Sequence, residues 1–566
     1  MSERDPADAA DVIDAPPPTA PPLPDPAPDG PAEGTEIAHI AGKAFNLKTS
    51  RRTVMGALLR ARTWYGGAQV CLVDGDEREF TYTQLIRAAF ALGHALKAGT
   101  RRGEAVGVLL PTGAAAAITF FGVSAYGRTP AMLNFTAGAR ALSAACAAVS
   151  ATRIVTARKF VELGALQDLV ADLAKTHEIV YLEDVREGLT RRDKLAGLIS
   201  DAAAWALRAH GSPDDVGVYL FTSGTEGEPK GVVLSHANLI ANAEQAKQHI
   251  PEIYRSDIAV NPLPTFHCFG LTGGLILPLM AGFKAILHPT PLQAKSIVQR
   301  VREHQATILF ATDTFLGQYA RVSDGDDLKS LRFAVCGAER VKDETRSMVR
   351  RRFGLDVLEG YGATEAAPVI AVNEVSFNKP GTVGRLVPGM EAQLTAVPGI
   401  SGAGRLFVRG PNVMKGYVTA ERPGVVTPLT DGWHDTGDIV AVDEDGFITI
   451  RGRVKRFAKL GGEMVSLAVV ENCAASLWPD SGHAAIAVPA PRKGEQIVLV
   501  TDYPDATRND LVSFARNHGV SELAIPGRIV HVDAVPILGT GKIDYAAVER
   551  LVKEHAAEAR MLSPSS

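Results

Sequence analysis

The sequence predicts an α/β protein with largely parallel sheets, giving way to a β-rich stretch and then to a small α+β region. Three observations predict it. From about residue 50, short apolar runs alternate with amphipathic helical segments, the pattern of strands joined through crossover helices. After about Val383 the texture changes to short strands punctuated by Gly and Asp. Towards the C-terminus helices and strands mix again. At 566 residues the chain is long enough for two or three domains.

Residues 1–36 are rich in Pro, Ala and Asp and contain the runs Pro16-Pro17-Pro18 and Pro21-Pro22. Such a segment buries too little apolar surface to offset its ordering entropy, and is expected to be a disordered leader. Val70-Cys-Leu-Val73 reads as a strand and residues 83–96 as an amphipathic helix. Residues 105–110 read as a strand, followed by an alanine-rich helix after Thr112. Further strands are expected at 153–156, 179–182, 285–288, 308–310 and 333–336, and then at 405–408, 439–442 and 447–450. The pair Asp445-Gly446 between two apolar runs signals a hairpin.

Two uncharged stretches, 105–127 and 258–283, are long enough to suggest membrane spans. The first is interrupted by Pro111-Thr-Gly113. The second contains Asn261, Pro262, Pro264, His267 and several glycines, backbone breaks that lipid does not easily tolerate. Both read as soluble core. The net charge of −4 argues against nucleic-acid binding. Five cysteines without a C-x-x-C pair argue against a disulfide framework or zinc site, and with no secretory signal the expected location is the reducing cytoplasm.

Five motifs carry chemistry. In Tyr219-Leu-Phe-Thr-Ser-Gly-Thr-Glu-Gly-Glu-Pro-Lys-Gly231 an apolar strand runs into a turn of hydroxyls and glycines ending in Lys230. Backbone N–H groups, the hydroxyls of Thr222, Ser223 and Thr225, and the lysine charge suit a polyphosphate. The G-x-x-x-x-G-K-[ST] P-loop is excluded, because Pro229 and Gly231 stand where it needs Gly and Ser or Thr. In Leu358-Glu-Gly-Tyr-Gly-Ala-Thr-Glu365, Tyr361 offers a ring to a base and Glu365 a carboxylate to a divalent metal. In Gly432-Trp-His-Asp-Thr-Gly-Asp438 a carboxylate on a turn suits the hydroxyls of a ribose, with an Asx-type turn as the alternative. Five of the nine residues in Arg451-Gly-Arg-Val-Lys-Arg-Phe-Ala-Lys459 are basic, either a solvated face or a hinge or phosphate contact. Pro536-Ile-Leu-Gly-Thr-Gly-Lys-Ile-Asp544 places Lys542 on a glycine-rich turn.

Taken in order, the five stretches resemble the adenylate-forming superfamily over about residues 50–550. Residues 131–138, Thr225-Glu226, 377–390 and 456–466 are similar to one bacterial branch, the acyl-acyl-carrier-protein synthetase half of the 2-acylglycerophosphoethanolamine acyltransferase/acyl-ACP synthetases. The resemblance implies a large N-terminal adenylation domain, 37–454, built from two α/β sheet subdomains and a small β-barrel-like part. A small mobile α+β domain, 455–566, would carry the catalytic lysine.

It also implies roles. Thr222, Ser223, Gly224, Thr225, Gly227 and Lys230 would cradle the pyrophosphate end of ATP. Gly337, Ala338 and Glu339 would border the adenine, with Tyr361 stacking on it, and Glu359, Gly360 and Gly362 would belong to the same cofactor site. Thr364 would contact the α-phosphate, Glu365 with Thr225 would hold Mg2+, and Asp438 and Arg453 would bind the ribose. Lys542 would contact the acyl carboxylate and α-phosphate. Lys455 matches the hinge and His267 a position bordering the acyl pocket.

The implied reaction is ATP-dependent, AMP-forming activation of a medium- or long-chain fatty acid. The acyl group would pass to the phosphopantetheine of acyl carrier protein or to coenzyme A. Met464 stands where coenzyme A synthetases often carry an arginine, which favours an acceptor other than coenzyme A. Arg350-Arg-Arg352 and residues 451–459 are candidate docking faces for it, and contact with the inner membrane surface is a further expectation. The related bifunctional enzymes carry an acyltransferase domain ahead of this half, where only the leader stands here, so lysophospholipid acylation is a secondary alternative. A non-catalytic nucleotide-binding scaffold is disfavoured by Lys230, Glu365, Asp438 and Lys542.

Overall fold

The computed structural model describes residues 36–199, 211–223, 229–397, 400–460, 463–490, 494–518, 520–537 and 543–561. All but one residue of the expected leader lies outside these ranges. Four sheets form the architecture. Parallel strands Asp356–Gly362, Phe333–Cys336, Ile308–Ala311, Ile258–Asn261, Lys284–Leu287 and Val70–Val73 make the centre of a nine-stranded sheet with antiparallel strands at both edges. An eight-stranded sheet has Val216–Ser223, Thr129–Met132, Ala105–Val108, Arg153–Thr156 and Glu178–Tyr181 in parallel. Its other side is the antiparallel run Pro229–Ser235, Gly416–Thr419 and Arg422–Pro428.

The β-rich part is a five-stranded antiparallel sheet. Its hairpin turns at Gly446, whose φ of +82° needs no Cβ. The first strand of this sheet, Glu36–Ala41, pairs with Glu391–Thr395 and was not expected from the sequence. A fourth sheet gathers Phe457–Leu460, Glu463–Ser466, His483–Ala490, Gly494–Thr501 and Arg528–His531 around its own apolar cluster.

The two suspected spans resolve as expected. Residues 105–127 form the strand Ala105–Val108 and the buried helix Ala114–Ala125. Residues 258–283 form a strand, a π-helix at Phe269–Ile276 and the helix Leu277–Ala281. No helix among the described residues is long and apolar enough to cross a membrane. The π-helix packs with its backbone against the preceding loop. A Cβ on Gly270 would stand 2.2 Å from the Pro264 carbonyl, and one on Gly274 would overlap the Asn261 side chain. Asn261 in turn donates to Gly270 O at 3.1 Å and accepts from Leu263 N at 3.0 Å, fixing the loop that leads to His267.

One helix decides how the sheets are set. His236–His249 starts with a capping box, Ser235 with Asn238, and is buried along most of its length. Polar residues recur at 238, 242, 245 and 249, the spacing of a single helical face. That face is buried, so each group needs a partner. Asn242 both donates to Val369 O at 2.8 Å and accepts from Val369 N at 3.0 Å, as a neighbouring strand would. Asn238 donates to the carbonyls of Pro411 and Val413 at 2.8 and 2.9 Å. Gln245 donates to Pro388 O at 2.7 Å and His249 to Val372 O at 2.9 Å.

Asn242→Leu keeps the volume and removes both of its bonds to Val369, leaving the Val369 carbonyl to Asn412 Nδ2 at 3.1 Å and the N–H without this acceptor, a loss of about 1–3 kcal/mol for a buried group. Urea denaturation should show a loss of about 1–3 kcal/mol. An unchanged midpoint and slope would contradict the role of this amide.

Candidate active site

The strand Asp356–Gly362 leaves the nine-stranded sheet and turns through a short 3-10 helix, Thr364–Ala366, before Val369–Val372 returns. Residues of the other two large sheets close on this turn. The Tyr361 hydroxyl donates to Asp438 Oδ2, and Asp438 Oδ1 accepts from Arg453 Nε at 2.9 Å. Asp438 is 4 % exposed, whereas the Arg453 side chain is 69 % exposed. Burial, with the Asp438 charge adding to it, pushes the Tyr361 phenol well above its usual range, so it remains a neutral donor. These three residues, assigned separately to adenine and ribose, form one hydrogen-bonded chain.

On the other side of the turn, the Tyr417 hydroxyl donates to Glu365 Oε1 at 2.7 Å. Tyr417 lies on Gly416–Thr419 beside Pro229–Ser235, which carries Lys230, and the Lys230 ammonium stands 5.6 Å over the Tyr417 ring. Lys230 is exposed and sits opposite Thr222 in the antiparallel ladder. The expected phosphate turn is therefore the connection of a β-hairpin, Val216–Ser223 to Pro229–Ser235. Bonds to backbone carbonyls complete the arrangement: Met414 N donates to Glu365 O at 2.7 Å, and the Asn412 side-chain amide to Ala366 O at 2.7 Å. Sequence reasoning missed Tyr417. The available signal was an aromatic in a short strand after the Gly/Pro turn at 410–411.

His267 lies on the loop beside this turn, since the neighbouring Cys268 thiol approaches the Thr364 hydroxyl at 3.5 Å. All five cysteines are buried, and none is in a disulfide. Behind the loop is an apolar cavity of about 40 Å³, walled by Phe269, Gly273, Phe310, Val335 and Val369 among others. Phe269 stands edge-on to Phe310 and against the Gly337 backbone, where a Cβ would meet its ring at 3.4 Å. A second aromatic group joins Phe266, Phe135 and Phe160, with successive centroids 5.0 Å apart.

The residues expected on the adenine side of the cofactor site divide into two groups. Gly337, Ala338 and Gly360 form the backbone wall between neighbouring strands, and Ala338 has a φ of +72°. The acidic side chains serve the wall itself. Glu339 accepts from the N–H and hydroxyl of Thr314 at 2.8 and 3.1 Å. Glu359 is buried and turned to Arg346 and Val341 N, at 2.9 and 3.0 Å. Its carboxylate is committed to that ion pair, and burial raises its pKa.

Gly224, Thr225, Gly227 and Lys542 lie outside the described residues, and of Ser223 and Lys455 only the backbone is described. The Lys455 backbone falls in the turn Val454–Arg456. On one side Arg453 is tied to Asp438 of the five-stranded sheet. On the other, Arg456 bonds Glu471 at 2.6 Å and stacks 3.7 Å over Tyr545. Of the candidate docking faces, Arg350 is paired with Asp356 and Arg352 donates to Ser323 O at 2.6 Å, so neither is a loose surface charge. No group of three or more His, Cys, Asp or Glu side chains that could hold a metal occurs among the described residues. Glu365 offers one carboxylate, the donor set of a Mg2+ that takes its other ligands from phosphate and water.

A profile of the AMP-binding enzyme family matches residues 62–418. The chain is 28 % identical over 503 residues to a 4-coumarate–CoA ligase of Pinus taeda, covering 84 % of this chain and 90 % of that protein. It is 30 % identical over 345 residues to a long-chain-fatty-acid–CoA ligase of Salmonella typhimurium, covering 58 % of this chain and 60 % of that one. Among solved structures, the anthranilate CoA ligase AuaEII in complex with anthranoyl-AMP superposes with a TM-score of 0.74 at 21 % identity, over 91 % of this chain and all of that chain. ATP-bound MatB from Rhodopseudomonas palustris gives 0.74 at 23 %, over 89 % and 99 %. The fold is thus that of the adenylate-forming enzymes.

Tyr417→Phe removes the hydroxyl that aims Glu365 and keeps the ring under Lys230. Groups that orient a metal ligand are worth about 10- to 100-fold in metal affinity. The Mg2+ concentration for half-maximal turnover should rise by about tenfold, with ATP affinity at saturating Mg2+ near wild type. An unchanged Mg2+ requirement would show that Tyr417 does not position Glu365.

Proposed function

The chain belongs to the AMP-binding enzyme family, and from that premise we propose that it activates a fatty carboxylic acid with ATP and transfers the acyl group to a phosphopantetheine thiol. The observation that carries this is the turn 361–365, tied to Asp438 on one side and to Tyr417 beside Lys230 on the other. A nucleotide lying across it meets a ring, a ribose acceptor, a metal-seeking carboxylate and a phosphate-seeking cation in that order.

In the first half-reaction a carboxylate oxygen attacks the α-phosphorus and the bond to pyrophosphate breaks. Asp438 and Arg453 seat the ribose, Tyr361 covers the adenine against the wall at 337–339, and Thr222 and Lys230 hold the departing phosphates. Bound Mg2+ would neutralise phosphate charge, held by Glu365 with Thr225. Charge grows on the phosphoryl oxygens, so fixed cations and donors supply most of the acceleration. Lys542 is the cation we assign to that oxygen. A charge about 4 Å away is worth roughly 4 kcal/mol at an effective dielectric near 20, about a thousandfold in rate.

In the second half-reaction a thiolate attacks the acyl carbonyl and AMP leaves. The C-terminal part, 455–566, turns about Lys455 to exchange Lys542 for the thiol. The separate attachments of Arg453 and Arg456 support a pivot between them.

The apolar cavity behind Phe269 supports an aliphatic acid. Its volume is far below the roughly 300 Å³ of a small-ligand pocket, so a long chain enters only once Phe269 swings aside. The motifs at 131–138, 377–390 and 456–466 favour acyl carrier protein as acceptor. The ligase names of the relatives favour coenzyme A, the second reading.

A panel of fatty acids, with release of AMP measured against each acceptor, tests both. Pyrophosphate exchange into ATP that depends on a fatty acid is expected for wild type, and Lys542→Ala should lose about a thousandfold in acyl-adenylate formation while still binding ATP. Exchange with no acid of the panel would end the proposal. AMP release driven by coenzyme A alone would select the second reading.

A further inference from the structure

A second cavity lies away from the turn 361–365. It has a volume of about 1560 Å³ and lies where the helix Val54–Tyr65 crosses the start of Val216–Ser223. Val216 lines this cavity and Ser223 leads into the phosphate turn. Seven residue steps of about 3.3 Å separate the two ends by roughly 23 Å. A molecule held here is out of reach of the reacting phosphate.

The lining is cationic. Seven arginine or lysine side chains border the cavity and two carboxylates, Asp214 and Asp215. Asp214 is committed to Arg51, at 2.5 and 2.6 Å, and Asp215 accepts from Ser212 N at 2.7 Å. Arg128 donates to the Thr100 hydroxyl and to backbone carbonyls, and Lys415 to a backbone carbonyl, neutral acceptors that leave both charges in place. A concave wall of one sign focuses the field on its opening.

On the helix, Gly56, Arg60 and Trp64 recur every four residues and share one face, and Arg52, just ahead of the N-cap Thr53, lines the same cavity. Arg60 stacks on Trp64, 3.7 Å from the ring centre, and Trp64 is 61 % exposed. Between the two arginines Gly56 leaves a gap: a Cβ there would meet only the Thr53 hydroxyl, at 3.1 Å. Arg52 donates to Thr49 O at 2.8 Å, and its pKa is lowered by burial and by the Arg60 charge, with Glu244 opposing them. Two like charges held together across a gap are relieved by an anion. Guanidinium forks match phosphate oxygens in pairs. Met55, Leu59 and Phe90 supply an apolar floor beneath.

We infer that this cavity is a second ligand site, separate from the nucleotide site, which holds a phosphate ester through Arg52 and Arg60 with Trp64 at its rim. The ligand is a soluble phosphate ester or the headgroup of a phospholipid. The inference does not rest on the proposed reaction, because it uses none of the residues assigned to it.

The test uses the full chain without ATP. Inorganic phosphate and glycerol 3-phosphate are titrated while Trp64 fluorescence is followed against a Trp64→Phe control. Flotation is measured with phosphatidylcholine vesicles with and without phosphatidic acid. Binding of at least one probe is expected, weakening with salt and falling about tenfold or more in Arg60→Gln and in Arg52→Gln/Arg60→Gln. Acyl-adenylate formation should stay within about twofold of wild type, since these residues touch no reacting group. Arg60 makes its recorded contact by stacking on Trp64, so the single variant should keep the wild-type melting temperature and serves if the double variant does not fold. Response to soluble probes alone identifies a small phosphate ester, response to phosphatidic acid vesicles alone a lipid headgroup, and response to both a headgroup recognised in either form. Phosphate held at the turn 222–230 would be indifferent to Arg60. Binding of no probe, or affinity unchanged by both variants, overturns the inference.

Discussion

Three buried amides on one helix, Asn238, Asn242 and Gln245, constrain everything the site contains. They have no water to turn to, so each must find a carbonyl or N–H, and the groups they find belong to segments far away in sequence. Asn242 grips Val369, just after the turn that carries Thr364 and Glu365. Asn238 grips Pro411 and Val413, just before Met414, whose N–H closes on Glu365. Because a misplaced segment would leave both partners unsatisfied, the penalty for wrong register is paid twice, and the geometry of the turn is set by hydrogen bonding rather than by apolar contact alone.

Two phenols extend this logic to function. Tyr361 links the nine-stranded sheet to Asp438 of the five-stranded sheet, and Tyr417 links the eight-stranded sheet to Glu365. Each hydroxyl takes one carboxylate oxygen and leaves the other side of the carboxylate to a cation or a ligand. Arg453 occupies that place at Asp438. The three sheets therefore meet through acid–phenol bonds at the point where the proposed nucleotide lies, and the carboxylates are held in place before a ligand arrives.

Local signals in the sequence were read well and non-local ones were not. The strands Val70–Val73, Arg153–Thr156 and Phe333–Cys336 lie where their apolar runs placed them, and most others shift by a residue or two. Glu36–Ala41 escaped notice because its pairing partner is Glu391–Thr395 and its own alternation is weak. The π-helix was invisible because its cause is contact of Gly270 and Gly274 with the Pro264 and Asn261 region, not a propensity of its own residues. Tyr361, Glu365, Asp438 and Arg453 stood out because their motifs are short and chemically marked, and the structure brings them to one turn. Tyr417 did not, since a tyrosine in a strand ordinarily signals packing. Glu359 is the contrasting case: a carboxylate within the same motif whose oxygens the structure places on Arg346 and Val341 N.

The claim on which the account turns is that a nucleotide lies across residues 361–365 with its ribose at Asp438 and its phosphates toward Lys230. A crystal structure of the full chain with ATP and Mg2+ measures this directly. The account predicts ribose hydroxyls on Asp438, adenine against Tyr361 and the Gly337–Ala338 backbone, and the metal on Glu365. A nucleotide found elsewhere, with the Tyr361–Asp438 and Tyr417–Glu365 pairs untouched by any ligand, would contradict it.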